Sequence, residues 1–170
     1  MVEVDRIYES KVKFAGLFDF KSTYEFMYNW LTDYGFGVIE EKTYNEKIKP
    51  EGKEVEIIWN ARKKVSDYFR FYLNIRWFIV GMTSVEVEKG GQKFKMNKGI
   101  SEIKIIGFLE KDYEHRWETS AFSKFLRGVY DRYVIRSRID EYSKKIMEEV
   151  DEFVASIKSF FELEGIRPRM

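Results

Sequence analysis

The sequence predicts an α+β fold in which a curved antiparallel sheet of about seven strands grips a long C-terminal helix. The chain opens with one strand-like segment and a short helix-like segment. A period of two then runs from about Gly37 to Glu114, and a helical period follows from about Thr119 to Leu163. This order predicts one domain over residues 1–170, with a cavity between the sheet and the last helix.

The first two elements are a strand and a capped helix. Arg6–Phe18 reads as a strand, since Tyr8, Val12 and Phe14 share one parity. Ser22 and Glu25 then form a capping-box pattern. Apolar residues follow at helical spacing (Phe26, Met27, Trp30, Leu31, Tyr34), and Gly35 suits a left-handed position after a helix. The predicted helix therefore runs from about Thr23 to Tyr34.

The central region reads as successive strands. Gly37–Ile48 is polar and suits a sheet edge, and Pro50, Glu51 and Gly52 mark a turn. The Gly90–Gly91 pair predicts a tight hairpin. Apolar residues of one parity define the strands themselves: Val55, Ile57, Trp59 and Ala61; Phe69, Phe71, Leu73, Ile75, Trp77 and Ile79; Val85 and Val87; Phe94 and Met96; Ile103, Ile105 and Leu109.

The C-terminal region, 119–164, carries two helical stripes and two blocks of charge. One stripe holds Phe122, Leu126, Val129 and Tyr133, and the other begins at Ile135, so the phase shifts near residue 134. The helix bends or breaks there, or its apolar stripe moves to a second partner. Arg116–Arg138 holds six basic residues against two acids, whereas Ile139–Glu164 holds eight acids against three lysines.

Composition limits the classes of function. Charged residues make up 35% of the chain but the net charge is +1, so any attraction for nucleic acid or membrane must come from a local patch. The aromatic content of 18% favours a bulky core or an aromatic-lined pocket. No apolar run has the length of a membrane span and no signal peptide is evident, which predicts a cytoplasmic protein. Abundant Lys and Glu with a single Gln resemble thermophile composition.

Catalytic and metal-binding motifs are not evident in the sequence. His115 is the only histidine and Cys is absent, so a zinc site is not expected, and His115 reads as a surface or capping residue. Gly90 and Gly91 lack the Gly-Lys-Ser/Thr of a phosphate loop. We therefore expect no catalytic residue, metal or cofactor, and an enzyme is the weakest of the three functional readings.

The order of elements resembles the helix-grip fold of the START/polyketide-cyclase-like (SRPBCC) superfamily. The first strand ending at Phe18, the helix from Ser22, the strand array from Gly37 to Glu114 and the helix after Thr119 carry this resemblance over most of the chain. It implies binding of a lipid, hormone, polyketide or other apolar molecule. No functional residue transfers from the family, and the C-terminal region is longer than that fold needs.

Six apolar side chains of the strand array are the candidate cavity wall. They are Ile57, Trp59, Phe71, Leu73, Ile75 and Trp77. Their shared parity predicts that they face the C-terminal helix. They either fill a packed core or line an aromatic-walled site for an apolar small molecule or lipid, and this ligand-binding reading is the leading functional hypothesis.

The opposite parity offers a candidate interaction face. It combines Arg62, Arg70, Tyr72 and Arg76 with Arg132 and Arg136 of the helical region. Basic side chains among aromatics can hold RNA by phosphate contact and base stacking, or they can form an ordinary solvated surface. The segment Lys124–Arg138 can equally rest on an anionic membrane surface. Antiparallel pairing of two long helices would match basic with acidic blocks, so a homodimer is a further alternative.

Overall fold

A computed structural model describes residues 3–114, 120–133 and 136–164. Within them lie one five-stranded antiparallel sheet and three helices. The elements are β1 (Glu3–Phe18), α1 (Phe20–Asp33), β2 (Val38–Lys49), β3 (Gly52–Lys64), β4 (Phe69–Lys89), β5 (Gln92–Lys111), α2 (Ala121–Tyr133) and α3 (Arg136–Glu164). The strands lie in the order β1-β5-β4-β3-β2, so the polar strand β2 occupies an edge as predicted.

The sheet has five strands, so the prediction of about seven is wrong. Phe69–Ile79 and Val85–Val87 belong to the single strand β4, and the residues from Phe94 to Leu109 all belong to β5. The register shifts between Val80 and Thr83, and Gly81 has φ +66° at that point. The run of apolar residues at alternate positions is interrupted at Gly81 and Thr83, beside this bulge, although the strand continues, which is why the sequence pattern looked like two strands.

Helix α1 begins earlier than predicted and ends where predicted. Its N-cap is Asp19, whose side chain accepts a hydrogen bond from the Ser22 amide at 3.2 Å, so the Ser22 capping box does not form. At the other end Gly35 has φ +88°. The amides of Gly35 and Phe36 donate to the carbonyls of Thr32 and Leu31, a Schellman arrangement that explains the glycine.

Helix α3 and helix α1 cover one face of the sheet, which is called the inner face below. The buried stripe of α3 consists of Ile146, Val150, Phe153, Val154, Ile157 and Phe161. Phe161 stacks on Phe14 of β1 at 4.8 Å, and Phe153 stacks on Trp30 of α1 at 4.2 Å. Burying each such side chain adds about 1.5–3 kcal/mol to the free energy of unfolding. With six of them buried, α3 covers a large part of the core.

The C-terminal region is described as two helices, α2 and α3. The phase shift near residue 134 falls on residues 134 and 135, which lie outside the described residues. Whether the helix breaks there therefore stays a prediction. The N-terminus of α2 is capped by Ser120, whose hydroxyl accepts from the Ser123 amide at 3.1 Å.

Gly107 of β5 is a point of close approach between the sheet and α3. A Cβ atom placed there would lie 3.2 Å from Val150 and 3.3 Å from Ile146. Gly107→Val is therefore expected to lower the free energy of unfolding by about 1–3 kcal/mol, because the extra atoms overpack the interface. Urea denaturation measures this effect.

Gly37→Val is the matched control, since a Cβ atom at Gly37 meets nothing within 4 Å. Equal losses of stability in the two variants would contradict the close approach of α3 at Gly107.

Candidate functional site

The six candidate cavity-wall side chains lie in the core. Ile57, Trp59, Phe71, Leu73, Ile75 and Trp77 are each at most 2% exposed. Phe71 packs edge-on against Tyr142 of α3 at 6.2 Å, and the Trp77 indole donates to the Ser101 hydroxyl at 2.7 Å. These side chains therefore have protein neighbours, and their role as a ligand wall stays a prediction.

An aromatic groove opens beside two of those residues, between α1 and β2. Its volume is about 340 Å³, and it is lined by Phe20, Lys21, Tyr24, Glu25 and Tyr44. The Phe20 ring stacks on Trp77 at 5.0 Å, and the Tyr24 ring packs edge-on against Trp59 at 4.8 Å. Buried tryptophans thus support the groove from beneath.

Two carboxylates of β2, Glu41 and Glu46, bind the tyrosine hydroxyls of this groove. Glu41 of β2 accepts hydrogen bonds from the Tyr24 hydroxyl at 2.5 Å and from the Trp59 indole at 3.0 Å. Burial, followed by the hydrogen bond to Glu41, raises the pKa of Tyr24 to about 12. Burial also raises the pKa of Tyr44 to about 12, with help from the hydrogen bond to Glu46. Both phenols therefore remain protonated donors at neutral pH.

A second groove, of about 390 Å³, runs between α1 and the end of α3. Phe26 and Phe160, stacked at 4.4 Å, form part of its wall, and Glu152 lies in it. Glu152 already accepts a hydrogen bond from Tyr34. This groove lies on the outer side of the two helices and does not touch the candidate cavity-wall residues.

The candidate interaction face is internally paired. Arg62, Arg70, Tyr72 and Arg76 lie together on the outer face of β3 and β4. Arg62 and Arg70 both pair with Glu110, which is 4% exposed, at 3.5 and 2.5 Å. The Tyr72 ring is sandwiched between Arg62, at 4.5 Å, and Phe108, at 5.0 Å. The charges of Arg62 and Arg70 and the ring of Tyr72 therefore already have partners within the protein.

The other two members of that face lie elsewhere. Arg132 is exposed on α2 and Arg136 is exposed at the start of α3. Helix α2 also exposes a run of large apolar side chains, Phe122, Phe125, Leu126 and Val129. The sequence showed this stripe, but nothing in its spacing indicated that it would face away from the core.

The remaining sequence features concern a histidine, metal sites and membrane spans. His115 lies outside the described residues. Within the described ranges no group of three or more acidic or histidine side chains could hold a metal ion. No helix of residues 3–114, 120–133 and 136–164 is long and apolar enough to cross a membrane.

Comparison with protein-family models, with curated proteins and with solved structures finds no match to this chain.

The sequence reasoning missed the groove. Phe20 and Tyr24 lie in α1, and Tyr44 and Glu41 lie in β2, so only the packing of α1 against that edge of the sheet brings them together. Aromatic residues on a polar edge strand were the one available signal, and Tyr44 alone was too weak to identify a site.

The raised pKa of Tyr24 makes an alkaline titration informative. An unfolded tyrosine ionises near pH ~10, so the folded protein keeps this proton longer. The contribution of Tyr24 to stability is therefore present below pH ~10 and decreases as the pH rises towards ~12. In ultraviolet absorbance titration, Tyr24→Phe should remove a transition near pH 12.

Glu41→Gln is the companion variant, and it should move the Tyr24 transition to lower pH because the carboxylate partner is lost. Tyrosine ordinarily ionises near pH ~10. If Tyr24→Phe removed a transition at that pH, the result would contradict the burial of Tyr24 and its hydrogen bond to Glu41.

Proposed function

We propose that this protein is a helix-grip-like, non-catalytic binding protein for an apolar small molecule, held in the groove between α1 and β2. The observation that carries the proposal is the set of three rings, Phe20, Tyr24 and Tyr44, around one concave opening above two buried tryptophans. A volume of about 340 Å³ lies within the range of small-molecule sites.

The chemistry of the groove favours a mainly apolar ligand with a limited polar part. Aromatic rings supply flat apolar contact area, and Tyr24 and Tyr44 remain neutral at ordinary pH. Lys21 and Glu25 line the same groove and provide one charge of each sign. A ligand with a strong net charge gains little there, since each sign meets one attractive and one repulsive side chain.

The proposed site lies at the surface, whereas the sequence predicted a cavity inside the fold. The predicted cavity lay between the sheet and the long helix, where Phe71 now contacts Tyr142 and where Ile146 and Val150 approach Gly107. A ligand of ordinary size would need α3 to move away from that face. The groove beside α1 needs no such movement, which is why we place the ligand there.

RNA binding on the outer face of the sheet is less well supported. Arg62 and Arg70 already pair with Glu110, Arg62 also pairs with Glu40 at 3.6 Å, and Tyr72 is covered on both sides. Phosphate contacts would have to displace these ion pairs, and base stacking would have to displace Phe108.

Native mass spectrometry of gently purified protein is the first test. We expect an excess mass of a few hundred daltons that is lost on denaturation, because a groove of this size suits one small molecule. The neutral fluorophore N-phenyl-1-naphthylamine should also bind saturably. Tyr44→Asp should weaken its binding at least about tenfold, because a charge enters an apolar wall.

Ile48→Asp, four residues further along β2, is the matched control and should bind the fluorophore like the unaltered protein. A clean mass together with non-saturable fluorophore binding would overturn the proposal. Equal affinities of the Tyr44 and Ile48 variants would also overturn it.

A further inference from the structure

Helix α2 is oriented opposite to an ordinary surface helix. Its apolar stripe, Phe122, Phe125, Leu126 and Val129, has the i, i+3, i+4, i+7 spacing of a core-facing stripe. Yet Phe122 and Phe125 are 68% and 66% exposed, and Leu126 and Val129 are each 39% exposed. The side that faces the protein carries Arg127, which is 6% exposed.

Two ion pairs of the buried Arg127 hold α2 in this orientation. The Arg127 guanidinium lies 2.9 Å from the Glu3 carboxylate and 3.5 Å from the Asp112 carboxylate, and Asp112 is 2% exposed. Burial alone would raise the pKa of Glu3, but Arg127 and Lys111 outweigh it and hold that pKa below its ordinary value. Tyr130 adds an edge-on contact with Tyr68 at 6.2 Å. Rotating α2 to bury its stripe would break these pairs.

Exposed basic side chains lie close to the stripe in the sequence. Lys124 and Arg132 of α2 and Arg136 and Arg138 of α3 are exposed. Asp131 is the only acidic residue in the sequence from Ser120 to Arg138. An amphipathic helix with Phe and Leu on one side and Lys and Arg beside them is typical of helices that lie in the headgroup region of a membrane.

We infer that α2 is a docking helix for an anionic lipid surface. The rings of Phe122 and Phe125 would enter the boundary between headgroups and acyl chains, while the basic side chains would meet the anionic headgroups. This inference goes beyond the proposed function and does not depend on the groove, which shares no residue with α2.

A second copy of the chain fits this surface less well. A two-fold pairing of α2 with α2 would bring together two helices that each expose Lys124 and Arg132, so it offers little charge complementarity. The acidic part of α3 is also a poor receptor. Several of its carboxylates already have partners within the chain, including Glu149 with Lys63 at 2.5 Å, Asp151 with Tyr8 at 2.6 Å and Glu141 with Lys145 at 3.1 Å.

Vesicle co-sedimentation of the full chain tests the inference. Vesicles of phosphatidylcholine with about 40% phosphatidylserine are compared with pure phosphatidylcholine, at roughly 0.05 and 0.5 M salt. We expect at least about tenfold stronger binding to the anionic vesicles, weakened by salt. The double variants Phe122→Ser/Phe125→Ser and Lys124→Glu/Arg132→Glu should each lower that binding at least about tenfold.

Matched controls change exposed residues of the same types elsewhere. Phe78→Ser/Phe94→Ser alters two rings that are 44% and 47% exposed on β4 and β5, and Lys11→Glu/Lys13→Glu alters two exposed lysines of β1. Both should bind like the unaltered protein. All of the altered side chains are exposed, so thermal melting should stay unchanged in every variant and verify folding.

Absence of vesicle binding would overturn the inference, as would equal binding to the two vesicle types or binding that the α2 variants leave intact. A dimer in solution that Phe122→Ser/Phe125→Ser converts to a monomer, without vesicle binding, would also overturn it and assign the stripe to a second copy. Tyr44→Asp should leave vesicle binding unchanged, so failure of the ligand groove and failure of lipid docking remain distinguishable.

Discussion

The packing of α3 on the inner face of the sheet is the constraint on which the rest of the structure depends. The contact is close because Gly107 presents no side chain to Ile146 and Val150. Once α3 lies there, with α1 beside it through Trp30 and Phe153, the two helices cover the buried residues of the inner face. Every other element must then find a place at an end, at an edge or on the outer face, and both proposed sites lie in such places.

The groove is a consequence of how α1 meets the edge of the sheet. Phe20 and Tyr24 pack on Trp77 and Trp59, while the edge strand β2 supplies Tyr44 and Glu41 from the side. Because β2 has no further strand beyond it, the space between its side chains and α1 is open to solvent. The interior behind the tryptophans is occupied by aromatic and aliphatic side chains, so the concave surface remains at the mouth of the fold.

Electrostatics separates the two basic regions of the molecule. On the outer face, the buried carboxylate of Glu110 binds Arg62 and Arg70, and their charges are compensated locally. On α2, Arg127 is compensated by Glu3 and Asp112, but Lys124 and Arg132 remain exposed on the helix that carries the apolar stripe. A molecule with a formal net charge of only +1 can therefore still carry exposed basic side chains on a helix with an exposed apolar stripe.

Those elements that local chemistry controls could be predicted from the order of residues alone. The alternating pattern predicted that the apolar side chains from Phe69 to Ile79 point inward. Gly35 predicted the end of α1, and Gly90 and Gly91 predicted the hairpin; all three glycines have positive φ. Only the tertiary structure decided that β4 continues past Gly81, because a bulge imitates the end of a strand in a one-dimensional pattern. It also decided which side of α2 faces the protein. A helical stripe specifies an apolar face but not what covers it, and that depends on Glu3 and Asp112, which lie far from Arg127 in the sequence.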